Sequence, residues 1–268
     1  MGDPPGDTVE RAAIAARLRA SGCVFAEDEA DVILASAADP GSREAMVRRR
    51  VSGEPLEYVV GWTAFAGLRV PVTHGVFVPR RRTELLVDLA SAHDRPDAVV
   101  ADICCGAGAI GAAVAVRRQR ARIHAVDIDE AAVGCARRLF EDLMIADRAT
   151  AYVGDLFRPL PPALRGGVDV IVANAPYVPT GEIAFMPAEA RDHERAPALD
   201  GGVDGLALIR RIGSEAPDWL TESGIVVVEV APSQIDGVSA VFAAAGLVPS
   251  VHRRPDIDAT AVCARRGG

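Results

Sequence analysis

The stretch Val168-Asp169-Val170-Ile171-Val172-Ala173-Asn174-Ala175-Pro176-Tyr177 decides how this chain reads. Its first six residues are a short apolar run, the pattern of a buried parallel strand. The next four set an amide, a proline and a tyrosine just past the carboxyl end of that strand, where open α/β sheets bind ligands. Pro176 drives Ala175 into extended geometry and turns its carbonyl outward. The Asn174 side-chain oxygen and the Ala175 carbonyl then make two neighbouring acceptors. Such a pair suits an NH2 group whose lone pair must point in one direction. A plain Asx-Pro turn closing a strand uses the same residues, so the flanking sequence has to decide.

From residue 97 the chain alternates strand and helix. Strands are expected at 98–103, 122–127, 150–153, 168–173, 225–230, 247–251 and 260–264, with helices at 109–118, 130–142, 206–219 and 234–245. This predicts a doubly wound α/β sheet of seven strands. Between the first strand and its helix runs Asp102-Ile103-Cys104-Cys105-Gly106-Ala107-Gly108-Ala109-Ile110-Gly111. Gly106 and Gly108 allow close backbone approach to a ligand. Asp127 ends the second strand, beside Ile128, where a carboxylate can take two ribose hydroxyls. Asp155 and Leu156 follow the third strand and suit an adenine ring and its amino group; an Asp there also caps turns. Residues 106–111 are literally GxGxxG, with Asp127 at a spacing that suits NAD. Sites for S-adenosylmethionine use the same loop and acid without a pyrophosphate contact, and Asp102 is placed to hold the methionine end through its ammonium or ordered water. The expected cofactor set is Asp102, Cys104, Cys105, Gly106, Ala107, Gly108, Asp127, Ile128, Asp155, Leu156 and Asn174.

Ahead of the sheet, apolar residues at helical spacing mark helices at 8–21 and 26–37, and Ser42 caps a third ending near Gly53. Residues 1–8 read as disordered. Residues 1–60 are expected to form a small helical domain for substrate docking, 61–82 a β-hairpin linker, and 83–268 the sheet domain, opening with a helix over 83–92. The arginines of the third helix (Arg43, Arg48, Arg49, Arg50) read first as a solvated face and second as a docking surface for an acidic partner.

The chain has 268 residues, 50% of them hydrophobic, and a net charge of −8. No broad electrostatic footprint for nucleic acid follows from that balance, and no direct nucleic-acid partner is expected. The amino terminus lacks the signal-peptide pattern and no apolar run reaches spanning length. With five cysteines at no metal-like spacing, the expectation is a cytoplasmic protein with reduced thiols and no metal. The vicinal Cys104-Cys105 reads as a pair of small fillers, with a redox switch as the minority reading. The five histidines show no metal spacing either.

Several segments, in order, resemble the HemK/PrmC-type protein-glutamine N-methyltransferases. Gly53-Glu54-Pro55-Leu56-Glu57-Tyr58 is similar to the family's GEP-[LI]-xY segment. Phe77-Val78-Pro79-Arg80-Arg81-Arg82-Thr83-Glu84 is similar to its [LF]-[IV]-PRPxTE segment. Asp102 to Gly108 resembles its DLGTGTG loop, Asn174 to Tyr177 its NPPY, and residues 193–206 its EPxxALxGGxDGL segment. The resemblance covers about residues 50–265. It implies a class I methyltransferase fold, S-adenosylmethionine as donor, and a protein substrate, a peptide-chain release factor or a related protein. Departures stand at Ala175 for the first proline of NPPY, Cys104 for a glycine, Leu156 for an aromatic, and Arg81-Arg82 across the proline-containing core.

On this resemblance Asn174, Ala175, Pro176 and Tyr177 form the catalytic segment. Asn174 Oδ1 and the Ala175 carbonyl would accept the two hydrogens of a glutamine amide and aim its lone pair at the donor methyl. Tyr177 would pack over the amide, or sit in the core with its hydroxyl satisfied. Arg80 and Glu194 read as groups that order the loop. An adenine-N6 methyltransferase uses a related motif but needs base flipping and a basic groove. A small-molecule methyltransferase and a non-catalytic cofactor-binding partner protein are the other readings.

Overall fold

The computed structural model describes residues 5–267, the side chains of 5–7, 188 and 190 excepted. The chain divides into two compact units, one of residues up to Trp62 with Pro187–His193, the other of Thr63–Met186 with the residues from Glu194 on.

In the first unit, α1 (Pro5–Ala20), α2 (Ala26–Ser36), α3 (Pro40–Val51) and α4 (Leu56–Val60) follow one another. Ala26, Ala30 and Ile33 recur at helical spacing and are buried with Ile14, Leu18 and Val47. Residues 5–8, expected to be disordered, belong to α1; residues 1–4 lie outside the described residues. The cap of α3 is Asp39 rather than Ser42. The Asp39 carboxylate accepts from the Ser42 N–H at 2.9 Å and the Ser42 hydroxyl accepts from the Asp39 N–H at 3.1 Å, a reciprocal capping box one turn earlier than the serine suggested. The arginines of α3 are not simply a solvated face. Arg50 is buried and forks onto Glu29 at 2.6 and 2.9 Å. Arg49 pairs with Glu54, and Arg43 with Glu10. A helix that has to join the core beside acids on its neighbours spends its charges on them.

The second unit starts within β1 (Trp62–Phe65), which forms a hairpin with β2 (Leu68–Pro71), and continues to α5 (Glu84–Ser91). The sheet region follows: β3 (Val99–Ile103), α6 (Ala109–Arg117), β4 (Arg122–Asp127), α7 (Glu130–Asp142), β5 (Ala149–Val153) and β6 (Val168–Ala173). After α8 (Ala188–His193), which groups with the first unit, come α9 (Ala207–Trp219), β7 (Leu220–Glu229), α10 (Ile235–Ala244), β8 (Leu247–Arg254) and β9 (Ala259–Arg266).

The seven strands run in the order β5-β4-β3-β6-β7-β9-β8. The first five are parallel, while β9 is antiparallel to both neighbours. All six residues of β6 are buried, as a strand covered on both faces demands. Beneath it Phe157 stacks on Trp219, with ring centroids 5.7 Å apart. β7 starts five residues before the expected 225. Its register with β6 breaks between Val168 and Val170, so that Leu220 and Ile225 pair with nearly adjacent residues. The bulge absorbs Thr221–Gly224, whose polar residues hid the strand from the hydrophobic pattern.

Since β3 is central and its neighbours β4 and β6 lie on opposite sides, the chain reverses its winding there. The carboxyl ends of these strands frame the crevice in which such sheets bind ligands.

Candidate active site

A cavity of about 660 Å³ opens at those strand ends, within the range of small-molecule sites. From the expected set, Cys104, Cys105, Gly106 and Ala107 line it after β3, Asp127 and Ile128 after β4, Asp155 and Leu156 after β5, and Asn174 and Pro176 after β6. Ala175, Tyr177, Asp102 and Gly108 do not reach its wall.

Each of those four has a different job. Gly108 turns the chain into α6 with φ of +74°, and its Cα faces Ala136 so closely that a Cβ would lie 2.7 Å from the Ala136 methyl. Asp102 is fully buried; its Oδ2 accepts the Gly111 N–H at 2.9 Å, while Oδ1 has no partner among the described residues. Burial pushes its pKa up to about 7. Asp102 thus anchors the first turn of α6 from behind the loop. Ala175 is 2% exposed. The Tyr177 hydroxyl donates to Glu229 Oε1 at 2.9 Å and accepts from Arg82 Nη2 at 2.8 Å. Burial and the Glu229 charge raise its pKa. The hydroxyl of Tyr177 is thus satisfied within the protein.

The loop itself fits a ribose-bearing ligand. Asp127 Oδ2 accepts the Gly106 N–H at 2.8 Å and Oδ1 the Asp129 N–H at 2.9 Å. Burial raises the Asp127 pKa, and these backbone donors oppose the rise. Each oxygen keeps a lone pair for a hydroxyl. Gly106, at φ of +53°, faces open space where a Cβ would stand. Cys104 carries φ of +57° at a position where the family pattern has glycine. Burial, then nearby carboxylates, raise the pKa of both Cys104 and Cys105. Neither thiol is an activated thiolate, so they serve as wall residues. Asp155 is held by Arg211 Nη2 at 2.8 and 2.7 Å, which lowers its pKa. Its readiness for an adenine amino group is shared with that arginine.

Several wall residues escaped the sequence reading. Phe65, Phe77, Pro79 and Thr83 line the cavity from the hairpin and the segment before α5, and Arg195, Pro197 and Ala198 from the strap after α8. Glu194, buried, accepts from the Val78 N–H at 3.3 Å and pairs with Arg80, which lies 5.2 Å over the Phe77 ring. Arg195 forks onto Asp129 at 2.9 Å. The strap is thus tied on both sides of the cavity, with Arg80 and Glu194 ordering it from one of them. Asn174 Nδ2 donates to Thr83 Oγ1 at 3.3 Å, and Thr83 Oγ1 donates to Glu229 Oε2 at 2.6 Å. Glu229 ends β7 as Asn174 follows β6, and that strand-end position was the available signal. Among the described residues no helix is long and apolar enough to cross a membrane.

The sheet order with its antiparallel β9, the glycine turn, the strand-end acid and the cavity together define a class I methyltransferase fold rather than an all-parallel dinucleotide fold. Residues 68–190 match the family described as Methyltransferase small domain. The chain is 38% identical to the release factor glutamine methyltransferase of Streptomyces coelicolor (strain ATCC BAA-471 / A3(2) / M145), over 78% of this chain and 76% of that one. It is 35% identical to the ribosomal protein uL3 glutamine methyltransferase of Burkholderia pseudomallei (strain K96243), over 84% and 72%. A solved methyltransferase from Pyrococcus furiosus shares the fold, with a TM-score of 0.55 at 16% identity, over 85% of this chain and all of that one. The chain belongs to the protein-glutamine methyltransferase family.

Proposed function

We propose that this protein transfers a methyl group from S-adenosylmethionine to the side-chain amide nitrogen of a glutamine in a protein, with a peptide-chain release factor as the acceptor. The observation that carries the reading is the placement of Asn174 and Pro176 on the wall of the cavity that also holds Gly106 and Asp127. When bound, the cofactor supplies an electrophilic methyl group on a sulfonium. Asp127 would hold its ribose hydroxyls, the Gly106 backbone would lie against it, and Leu156 and Asp155 would border its adenine. On this reading the protein acts in the cytoplasm. The first 60 residues dock the protein substrate, residues 61–82 link, and 83–268 carry the chemistry.

An amide nitrogen is a poor nucleophile because its lone pair is delocalised into the carbonyl. Asn174 Oδ1, on the cavity wall, accepts one N–H and helps turn the lone pair toward the methyl group. The Ala175 carbonyl, one residue on and behind the wall, is the second acceptor only once the amide is drawn in past Asn174 and Pro176, and both oxygens then stabilise the positive charge that grows on nitrogen. Holding both partners in line supplies much of the remaining acceleration. Phe77 and Pro79 wall off water around the amide. The proton leaves after transfer, so no strong base is needed.

Transfer from labelled S-adenosylmethionine to purified release factor tests the reading, with a cell extract alongside. Label on a release-factor glutamine is expected, and Asn174→Ala should lower turnover by roughly 10²–10³-fold, the effect of deleting one such polar contact, without weakening cofactor binding. Undiminished turnover in that variant refutes the chemistry. Label only on a ribosomal protein in the extract keeps the chemistry and moves the acceptor to the branch of the Burkholderia relative.

A further inference from the structure

Thr83, Asn174 and Glu229 come from three separate stretches of chain, yet they form one directed hydrogen-bond chain at the cavity wall. Glu229 is 3% exposed and ends β7. Three donors converge on its two oxygens. Arg82 Nε reaches Oε1 at 2.9 Å, the Tyr177 hydroxyl reaches Oε1 at 2.9 Å, and the Thr83 hydroxyl reaches Oε2 at 2.6 Å. A carboxylate has only acceptors to offer. The single proton of the Thr83 hydroxyl is therefore spent on Glu229. What remains on Thr83 Oγ1 is lone pairs, so the Asn174 atom 3.3 Å away has to be the donor, Nδ2.

The two ends of an Asn side chain are alike in shape, and only the hydrogen-bond network distinguishes them. Here the network does so from two residues away. With Nδ2 on Thr83, Oδ1 is the end left for the cavity that Asn174 and Thr83 both line. We propose that Glu229 is a positioning residue: acting through Thr83, it fixes the Asn174 amide with its oxygen toward the substrate. This rests on the proposed amide methylation, in which an acceptor is what the substrate NH2 requires. A flipped Asn174 would present N–H to N–H and repel it.

The isosteric change Glu229→Gln reverses the polarity of the chain. Its oxygen stays on the side of the Arg82 and Tyr177 donors, and its NH2 turns to Thr83. Thr83 Oγ1 then accepts from residue 229 and its proton points to Asn174. Asn174 answers with its oxygen and swings its NH2 to the cavity. One atom is altered, with no change of volume or of bond count; the ion pair with Arg82 becomes a neutral hydrogen bond, and the orientation of Asn174 is fully reversed.

The test uses the full chain with labelled S-adenosylmethionine and the release factor as acceptor. Glu229→Gln should lower kcat by about a hundred-fold, as loss of one oriented polar contact does, with the calorimetric affinity for S-adenosylmethionine unchanged. Thr83→Val should lower kcat similarly, and Thr83→Ser should recover the turnover that Thr83→Val loses. Wild-type kcat in Glu229→Gln, beside an inactive Asn174→Ala, overturns the positioning role and leaves the proposed function standing. Full activity in Asn174→Ala overturns both. Loss of cofactor affinity together with kcat in Glu229→Gln overturns positioning in favour of a structural role. Neutron diffraction gives a readout that needs no acceptor: deuterium on the Asn174 atom facing Thr83 in the unaltered protein supports the proposal, and its absence there overturns it.

Discussion

Replacing Asp102 by asparagine should shift stability in the variant's favour by an amount that grows with pH. Asp102 is fully buried under the glycine loop, with one oxygen on the Gly111 N–H and the other unpartnered among the described residues. Burial comes first among the causes that raise its pKa to about 7 from 3.8, with the Asp127 charge adding to it. Between those two values the folded protein holds a proton that the unfolded chain has released. Stability then falls as pH rises through that window, because the unfolded state binds fewer protons. The contribution is fully favourable below the unfolded value and is lost above about 7. At about 1.36 kcal/mol per pKa unit, the span of some three units sets a ceiling of about 4 kcal/mol. For a chain of this size that corresponds to about 8–16 °C in Tm at most. The substituted amide keeps an oxygen for the Gly111 N–H and never ionises. The assay is thermal unfolding of both proteins from pH 4 to pH 8, read as the difference between them so that other titrating groups largely cancel. The Tm gap should widen steadily in favour of Asp102→Asn. A gap that stays constant across the range would refute the claim that a buried, ionising carboxyl sits under the loop.

Gly108→Ala should destabilise by about 2–5 kcal/mol, the sum of a left-handed backbone penalty and overpacking, since its new methyl would lie 2.7 Å from that of Ala136; denaturant unfolding with a loss under about 1 kcal/mol would count against the close approach. Glu29→Ala should cost about 1.5–3 kcal/mol, the range for hydrogen bonds to a charged group, because Arg50 loses its forked carboxylate between side chains 10% and 14% exposed but keeps Glu189 at 3.0 Å and the Glu54 carbonyl at 3.1 Å. Glu44→Ala, which breaks the exposed pair with Arg17, should leave the same unfolding curve nearly in place. Ala175→Pro should be tolerated and gain about 0.4–1 kcal/mol from a stiffer unfolded chain. Outside the strands no bond from the Ala175 N–H occurs among the described residues, and its φ is not positive. A drop in stability with a loss of turnover would show instead that the buried site has no room for the ring.

The sheet was legible because its signals are local. A six-residue apolar run, a glycine turn and a strand-end acid each announce themselves within ten residues, and they fell where the pattern put them. The site was legible to the extent that strand ends carry ligands, which brought Asn174, Asp127, Asp155 and the glycine loop to one cavity. What stayed hidden depends on contacts across the chain. Thr83 lies 146 residues from Glu229 and 91 from Asn174, and no periodicity relates them. The direction of Tyr177 was equally out of reach, because its partners Arg82 and Glu229 belong to other elements. Asp102 was ambiguous for a related reason: an acid before a glycine turn looks the same in sequence whether it faces a ligand or the helix behind the turn.

The departures from the family pattern take on a different sense beside that network. Alanine at 175 gives up the stiffness a second proline would lend to the Asn174-Ala175-Pro176 backbone. The segment before α5 gives up its proline-containing core for Arg81-Arg82. Yet Arg82 joins Tyr177 and Glu229 in one set of charge-assisted bonds, 2.8 and 2.9 Å long, and bonds of that kind are about twice as strong as neutral ones. The residue after Pro176 is thereby tied to the end of β7, and the residue before Ala175 to Thr83, so the catalytic backbone is clamped on both flanks by side chains. Orientation that a rigid backbone would impose from within is imposed here from outside. It follows that activity in this protein should be more sensitive to substitution at Arg82 and Glu229 than the position of either residue in the sequence would suggest, and less sensitive to the identity of residue 175.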